Sequence, residues 1–176
     1  YGTSLNGNEI ANPTKVLPTE TLWGLEQIGS DVESGFANRY VCKAELTNLE
    51  PNTKYYYQAV LGSTKTKVNS FTSLSGERDE KTFLFLTDIQ SSGSGFSNAE
   101  KLLKKMLEKN KFTDPSLIVM TGDQVDRGGY EQQWIDYYQY VPTLDGLLQA
   151  TIPGNHEYYF SDSGDYVSNE IYNQFY

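Results

Sequence analysis

From Tyr40 to Thr47 the chain alternates, with Tyr40, Cys42, Ala44 and Leu46 set against Val41, Lys43, Glu45 and Thr47. A period of two is that of a half-buried strand. A turn at Glu50-Pro51-Asn52-Thr53 follows, and then Tyr55-Tyr56-Tyr57-Gln58-Ala59-Val60, a strongly β-prone run. Gly62-Ser63 predicts another turn and 67–72 a last strand. Only 21–28 suits a short turn-rich helical segment, so residues 1 to about 80 read as all-β. In the stretch Leu49-x-Pro51-x-Thr53-x-Tyr55, a tyrosine opens a strand just after a tight turn. From there its hydroxyl can fold back onto the preceding backbone, as in the tyrosine corner of β-sandwich domains.

The pattern changes after the polar stretch 75–81, which reads as a linker. Phe83-Leu84-Phe85-Leu86 is a continuous apolar run, suited to a strand buried on both faces. Ser97-x-x-Glu100 has the form of a capping box. It predicts a helix with Leu102, Leu103, Met106 and Leu107 on one face and lysines on the other, closed by Asn110 and Pro115. Leu117-Ile118-Val119-Met120 predicts a second buried strand, and 130–140 a helix carrying Trp134, Ile135 and Tyr138. The run 147–152 predicts a third strand. The order β-α-β-α-β implies a parallel sheet with right-handed crossovers.

Composition narrows the partners. Among 176 residues, 14 tyrosines and 8 phenylalanines supply apolar mass for a core, and the net charge is −9. No lysine or arginine cluster exceeds Lys104-Lys105, which argues against nucleic acid or an anionic membrane as partner. No stretch approaches a membrane span in length, and no signal peptide is expected within these residues. The single cysteine, Cys42, excludes an intrachain disulfide framework and a cysteine metal site; it reads as a small buried strand residue. The chain opens on Tyr1-Gly2 rather than methionine, which predicts that it begins within a domain.

Each of the three apolar strands of the second region ends in a polar cluster. These are Thr87-Asp88-Ile89-Gln90, Gly122-Asp123-Gln124-Val125-Asp126-Arg127 and Gly154-Asn155-His156-Glu157, the last holding the only histidine. Ligands of open parallel sheets bind beyond the carboxyl ends of the strands. Asp88, Asp123 and Asn155 recur at about one strand-helix interval, so they are expected to converge there. Carboxylate and amide oxygens brought together call for cations between them, and hard oxygen donors suit Mn, Mg, Zn or Fe. Asp123, on the middle strand, is the candidate to bridge two ions. Two ions can activate a water and clamp both oxygens of an in-line phosphoryl displacement. Taken singly, these residues have plainer readings as turn or capping residues; their order and spacing favour the shared site.

These motifs, in this order and spacing, resemble those of the calcineurin-like metallophosphoesterases. With a β-domain immediately upstream, the layout is similar to the purple acid phosphatase branch. The β-region itself resembles the later strands of a fibronectin type III domain. The resemblance implies two domains. Residues 1–76 would be an incomplete fibronectin type III-like β-sandwich. Residues 82–176 would be the N-terminal half of an α/β metallophosphoesterase domain, a two-sheet β-sandwich flanked by helices. It implies metal-dependent hydrolysis of a phosphoester substrate by a dinuclear site of divalent or trivalent ions (Fe, Zn, Mn or Mg), in a secreted or cell-surface setting. Residue by residue, Asp88 would ligate one metal, Asp123 both and Asn155 the other. His156 would contact phosphate or protonate the leaving alkoxide, Arg127 would hold phosphate, and Glu157 could orient His156.

There are departures from the pattern. Gln90 stands where the family usually has histidine, or glycine in the purple branch. Asp126 stands where the purple enzymes carry tyrosine, so no purple colour or strong ferric preference is expected. Gln90, Asp126 and Glu157 are assigned either as ligands or as supports behind the ligands. The family's later histidines are absent, so the chain is expected to be a fragment carrying about half a site, completed by a C-terminal segment or a second chain. The rival reading is a non-catalytic binding module derived from a phosphoesterase.

Overall fold

A computed structural model of the chain describes residues 1–5, 11, 14–16, 41–76, 81–108, 115–159, 172, 173 and 176. The segment 21–28, Tyr40, Asn110 and most of the expected linker (77–80) lie outside the described residues.

Turn chemistry organises the first region. Strand β1 (Thr14–Val16) pairs antiparallel with β2 (Val41–Lys43). Asn48 and Asn52 adopt left-handed backbones at φ 57 and 51, a conformation asparagine takes more readily than most residues. They bracket the turn into β3 (Lys54–Tyr57), which pairs antiparallel with β6 (Asn69–Thr72). Between them, β4 (Val60–Leu61) and β5 (Thr64–Lys65) form a hairpin that turns at Gly62, φ 59. Tyr55 is buried, its ring stacks on Phe71 with centroids 5.8 Å apart, and its hydroxyl accepts the Glu50 N–H at 2.8 Å. That is the fold-back expected of a tyrosine corner. Among the described residues these strands form three separate two-stranded ladders, which do not by themselves make the facing sheets of a sandwich.

β2 ends at Lys43, short of Thr47, and Cys42 is exposed, against the expectation of a buried strand residue. Lys43, half-buried on the other side of the pleat, donates its Nζ to the Asn173 carbonyl at 3.0 Å. Cys42 points the other way.

The second region has the predicted order. Strand β7 (Phe83–Leu86), helix α1 (Phe96–Leu107), β8 (Leu117–Met120), α2 (Glu131–Tyr140) and β9 (Gln149–Thr151) follow one another. The three strands form a parallel sheet in the order β7-β8-β9, with Leu84 beside Ile118 and Val119 beside Ala150. Alternation puts Leu84, Ile118 and Met120 on one face. There they join Phe96 and Leu103 of α1 and Trp134 and Tyr137 of α2 in one core. Tyr137 thus takes the buried place on α2, while Ile135 is only half-buried. On the opposite face Phe83 is 47% and Phe85 67% exposed, while Leu117 and Val119 are half-buried. The expected two-sided burial of β7 therefore does not hold among the described residues, because β7 is an edge strand and both helices join the core of the other face. Ile152, just beyond β9, is 56% exposed for the same reason.

The capping box also does not form. A 3-10 turn, Gly93–Gly95, runs directly into α1, so the N-cap is Gly95 and Ser97 lies inside the helix. The buried stripe is Phe96, Glu100 and Leu103, and Leu102 is 55% exposed. Glu100 reaches sideways instead. Its Oε1 accepts from Lys104 Nζ and Thr143 Oγ1 at 2.8 Å each, and its Oε2 from Thr143 N at 3.3 Å. This ties α1 to the 3-10 turn Pro142–Gly146. Burial alone would raise the Glu100 carboxyl, but the Lys104 and Thr143 hydrogen bonds and the Lys104 charge together hold it below its ordinary value. A lowered folded-state value stabilises above the unfolded-state value, and the gain is lost as pH falls through the folded one. Glu100→Gln should therefore cost about 1–2 kcal/mol at neutral pH. The gap from wild type should close on acidification below about pH 4, as read by thermal unfolding across pH.

The same 3-10 turn joins the two regions. Tyr57 donates its hydroxyl to the Asp145 carbonyl at 2.5 Å, and Lys67 Nζ pairs with Asp145 Oδ2 at 3.1 Å. No helix among the described residues is long and apolar enough to cross a membrane.

Candidate functional site

The parallel ladder continues past the strands. Thr121 N donates to Leu86 O at 2.9 Å, Asp88 N to Gly122 O at 3.3 Å and Ile152 N to Met120 O at 3.0 Å. These bonds carry the three polar loops together beyond the carboxyl ends of β7, β8 and β9. Asp88 and Asp123 both hold left-handed backbones, at φ 51 and 53. Such a backbone costs a non-glycine residue about 1–2 kcal/mol, and it concentrates at functional sites.

Glycine permits the contact between the second and third loops. A Cβ on Gly122 (φ 108) would lie 2.6 Å from Gly154 Cα, and one on Gly154 would lie 2.2 Å from Asp123 Oδ1. Only hydrogen fits at either place, so the Asp123 carboxylate rests against the Gly154 backbone. Its Oδ1 then accepts the His156 N–H at 3.0 Å.

Glu157 holds this junction from beneath. It is fully buried. Its Oε2 accepts from Asp123 N at 2.8 Å and Gly154 N at 2.6 Å, and its Oε1 from Gln124 N at 2.7 Å and Val125 N at 3.3 Å. The expectation that Glu157 orients the His156 imidazole is thereby corrected. A buried carboxylate needs donors, and the turn after Asp123 presents a nest of backbone N–H groups. The imidazole is held by Asp126 instead. His156 Nδ1 lies 2.6 Å from the Asp126 carbonyl oxygen and 3.5 Å from Asp126 Oδ1. Since a carbonyl only accepts, Nδ1 carries the proton. Nε2 is then the nitrogen left for chemistry.

Arg127 continues the same loop. Its N–H donates to Gln133 Oε1 at 2.7 Å, its Nε lies 3.7 Å from Asp126 Oδ2, and its guanidinium sits 5.5 Å from the Tyr130 ring centroid. Gln90 is half-buried between the first two loops, its amide 3.1 Å from the carbonyl oxygens of Asp88 and Asp123. Two further residues take part at these loops. Tyr159 accepts the Asn155 amide N–H at 2.7 Å and lies against the His156 ring at 4.8 Å. Thr87 donates to Asp88 Oδ2 at 2.5 Å. Tyr159 has the i, i+4 relation to Asn155, the one signal that points to it.

The donor set suits hard cations. Asp88 Oδ1, Asp123 Oδ2 and Asn155 Oδ1 have no hydrogen-bond partner, and neither aspartate has an ion-pair partner, among the described residues. Uncompensated carboxylates and a neutral amide oxygen are the kinds of ligand Mg, Mn, Zn and Fe accept. No group of three or more His, Cys, Asp and Glu among the described residues could hold a metal by itself, so the Asn155 amide matters to the set.

Residues 81–176 match the family model described as calcineurin-like phosphoesterase. Among solved structures, the chain is similar to purple acid phosphatase PPD1 from yellow lupin (Lupinus luteus) seeds, with a TM-score of 0.65 and 18% identity. The match covers 97% of this chain and 34% of that one, so the chain spans about a third of that protein's length. No curated protein matches.

Proposed function

The chain belongs to the calcineurin-like phosphoesterase family, and from that premise we propose that it hydrolyses phosphoesters at a dinuclear metal site on its three strand-end loops. The supporting observation is the junction of those loops, where Asp88, Asp123 and Asn155 each keep an oxygen free. Asp88 and Asn155 would each hold one ion, and Asp123, on the middle strand, would lie between them. The chemistry supplied by bound cations is polarisation of the phosphoryl group and acidification of a water.

The residues of the chain supply the rest. With Nδ1–H committed to the Asp126 carbonyl, His156 Nε2 is available to hold a proton for the departing alkoxide. The Asp126 carboxylate, with Oδ1 3.5 Å from Nδ1, lies on the same side of the ring as that carbonyl and helps fix the ring's orientation. The Arg127 guanidinium, half-exposed beside the same loop, suits an anionic phosphoryl group, to which it can offer two parallel N–H donors. Three protein oxygens do not fill the coordination of two such ions, so further ligands are part of the proposal, from another segment or from a second chain. The β region, 1–76, fits the proposal as an N-terminal domain of fibronectin type III kind, on the strength of the Tyr55 fold-back.

Two measurements test the reading. Full-length protein should hydrolyse an aryl phosphate, lose the activity to a chelator and regain it with Mn or Zn. His156→Ala should slow esters with poor leaving groups about a hundredfold, and activated aryl esters much less. An equal loss for both classes would remove His156 from the acid role. The rival, a non-catalytic module, rests on the departures from the family pattern at Gln90 and Asp126; it predicts no bound transition metal.

A further inference from the structure

The Gln90 amide lies 3.1 Å from two backbone oxygens, Asp88 O and Asp123 O. Carbonyl oxygens only accept, so the amide nitrogen belongs against them, and its two N–H bonds match the two acceptors. Among the described residues no other donor reaches either carbonyl. Both carbonyls belong to left-handed aspartates whose N–H groups are bonded, Asp88 N to Gly122 O and Asp123 N to Glu157 Oε2, while their carbonyls take no part in the ladder. A donor shared between them ties both peptide planes to one side chain, and with them the relative placement of the two loops that carry the carboxylates.

We infer that Gln90 is a positioning residue. Its amide straps the Asp88 loop to the Asp123 loop through their backbone carbonyls and so sets the gap between the two carboxylates; it does not offer its oxygen to a cation. The inference rests on the proposal that Asp88 and Asp123 hold the metal ions. It adds that the gap is set from behind, by hydrogen bonds the metal never touches. Supports of this kind, one step behind the ligands, typically govern metal affinity tenfold to about a hundredfold.

The strap and the ligand make opposite predictions for Gln90→Glu. The carboxylate has the shape of the amide but no proton to donate, and it sets a charged oxygen against two carbonyl oxygens. A ligand role predicts tighter Mn(II) binding from the added charge. The strap predicts binding weakened about tenfold or more. The test titrates Mn(II) into the full-length protein, reading free Mn(II) by electron paramagnetic resonance, with metal-free melting temperatures in parallel. Gln90→Met, of similar length with neither donor nor charge, should weaken Mn(II) binding likewise, and it decides the matter if Gln90→Glu does not fold.

Asp123→Asn separates the two levels of the argument. If it weakens Mn(II) binding while both Gln90 variants bind as wild type or tighter, the strap is overturned and the cation reading stands. A lower melting temperature with an unchanged Mn(II) dissociation constant in the Gln90 variants also overturns the strap, since it leaves only a structural role. If Asp123→Asn binds Mn(II) as wild type does, both the cation reading and the strap fall.

Discussion

Glu157→Ala is expected to lower stability by at least about 3 kcal/mol and to free the second and third loops together. Four backbone N–H groups, of Asp123, Gln124, Val125 and Gly154, converge on this one fully buried carboxylate. Each buried donor left without an acceptor costs about 1–3 kcal/mol, more where the lost partner was charged. Water entering the vacated space would recover part of this, which is why the sum is not taken. Glu157→Gln is more informative about mechanism. It keeps the volume but turns an NH2 group toward N–H donors, so at least one pair must face donor to donor. Its loss should approach that of the alanine variant. Urea unfolding of both variants measures the effect against a typical domain stability of about 5–15 kcal/mol. A change below about 1 kcal/mol in either would mean that the loops are held by something other than Glu157.

Much of the second region could be read from the pattern of the chain. Strand and helix succeed one another where apolar runs and 3.6-residue spacing place them, and Asp88, Asp123 and Asn155 lie on the three expected loops. Turn chemistry was equally legible, because the proline-asparagine turn before Tyr55 admits few continuations and the hydroxyl found the Glu50 N–H. What failed was whatever depends on a neighbour distant in sequence. Phe83-Leu84-Phe85-Leu86 is apolar throughout, and nothing local says that, among the described residues, one face of the sheet gets two helices and the other leaves Phe83 and Phe85 exposed. Ser97 and Glu100 have capping-box spacing, but Thr143 lies within reach of the Glu100 carboxylate and takes it. Glu157 sits next to His156 in sequence, yet adjacent side chains along a turn diverge. Its carboxylate went to the four N–H groups behind the site, and the imidazole went to Asp126.

Asp123→Asn should reduce turnover of an aryl phosphate by full-length protein about a thousandfold or more while leaving stability within about 1 kcal/mol of wild type. The asymmetry follows from the hydrogen bond it keeps. Asparagine Oδ1 can still accept the His156 N–H, the one hydrogen bond the side chain makes among the described residues, so the loop junction survives. What disappears is one negative charge at the position proposed to lie between two cations. Charge stabilisation there contributes several kcal/mol in the transition state, and each 1.4 kcal/mol is a factor of ten in rate. Metal analysis of the same variant separates the causes. A loss of turnover with a fall from two bound ions toward one or none assigns the effect to cation binding. Full turnover with the metal content unchanged would take Asp123 out of the site, and with it the reading of the three loops as a metal-binding unit.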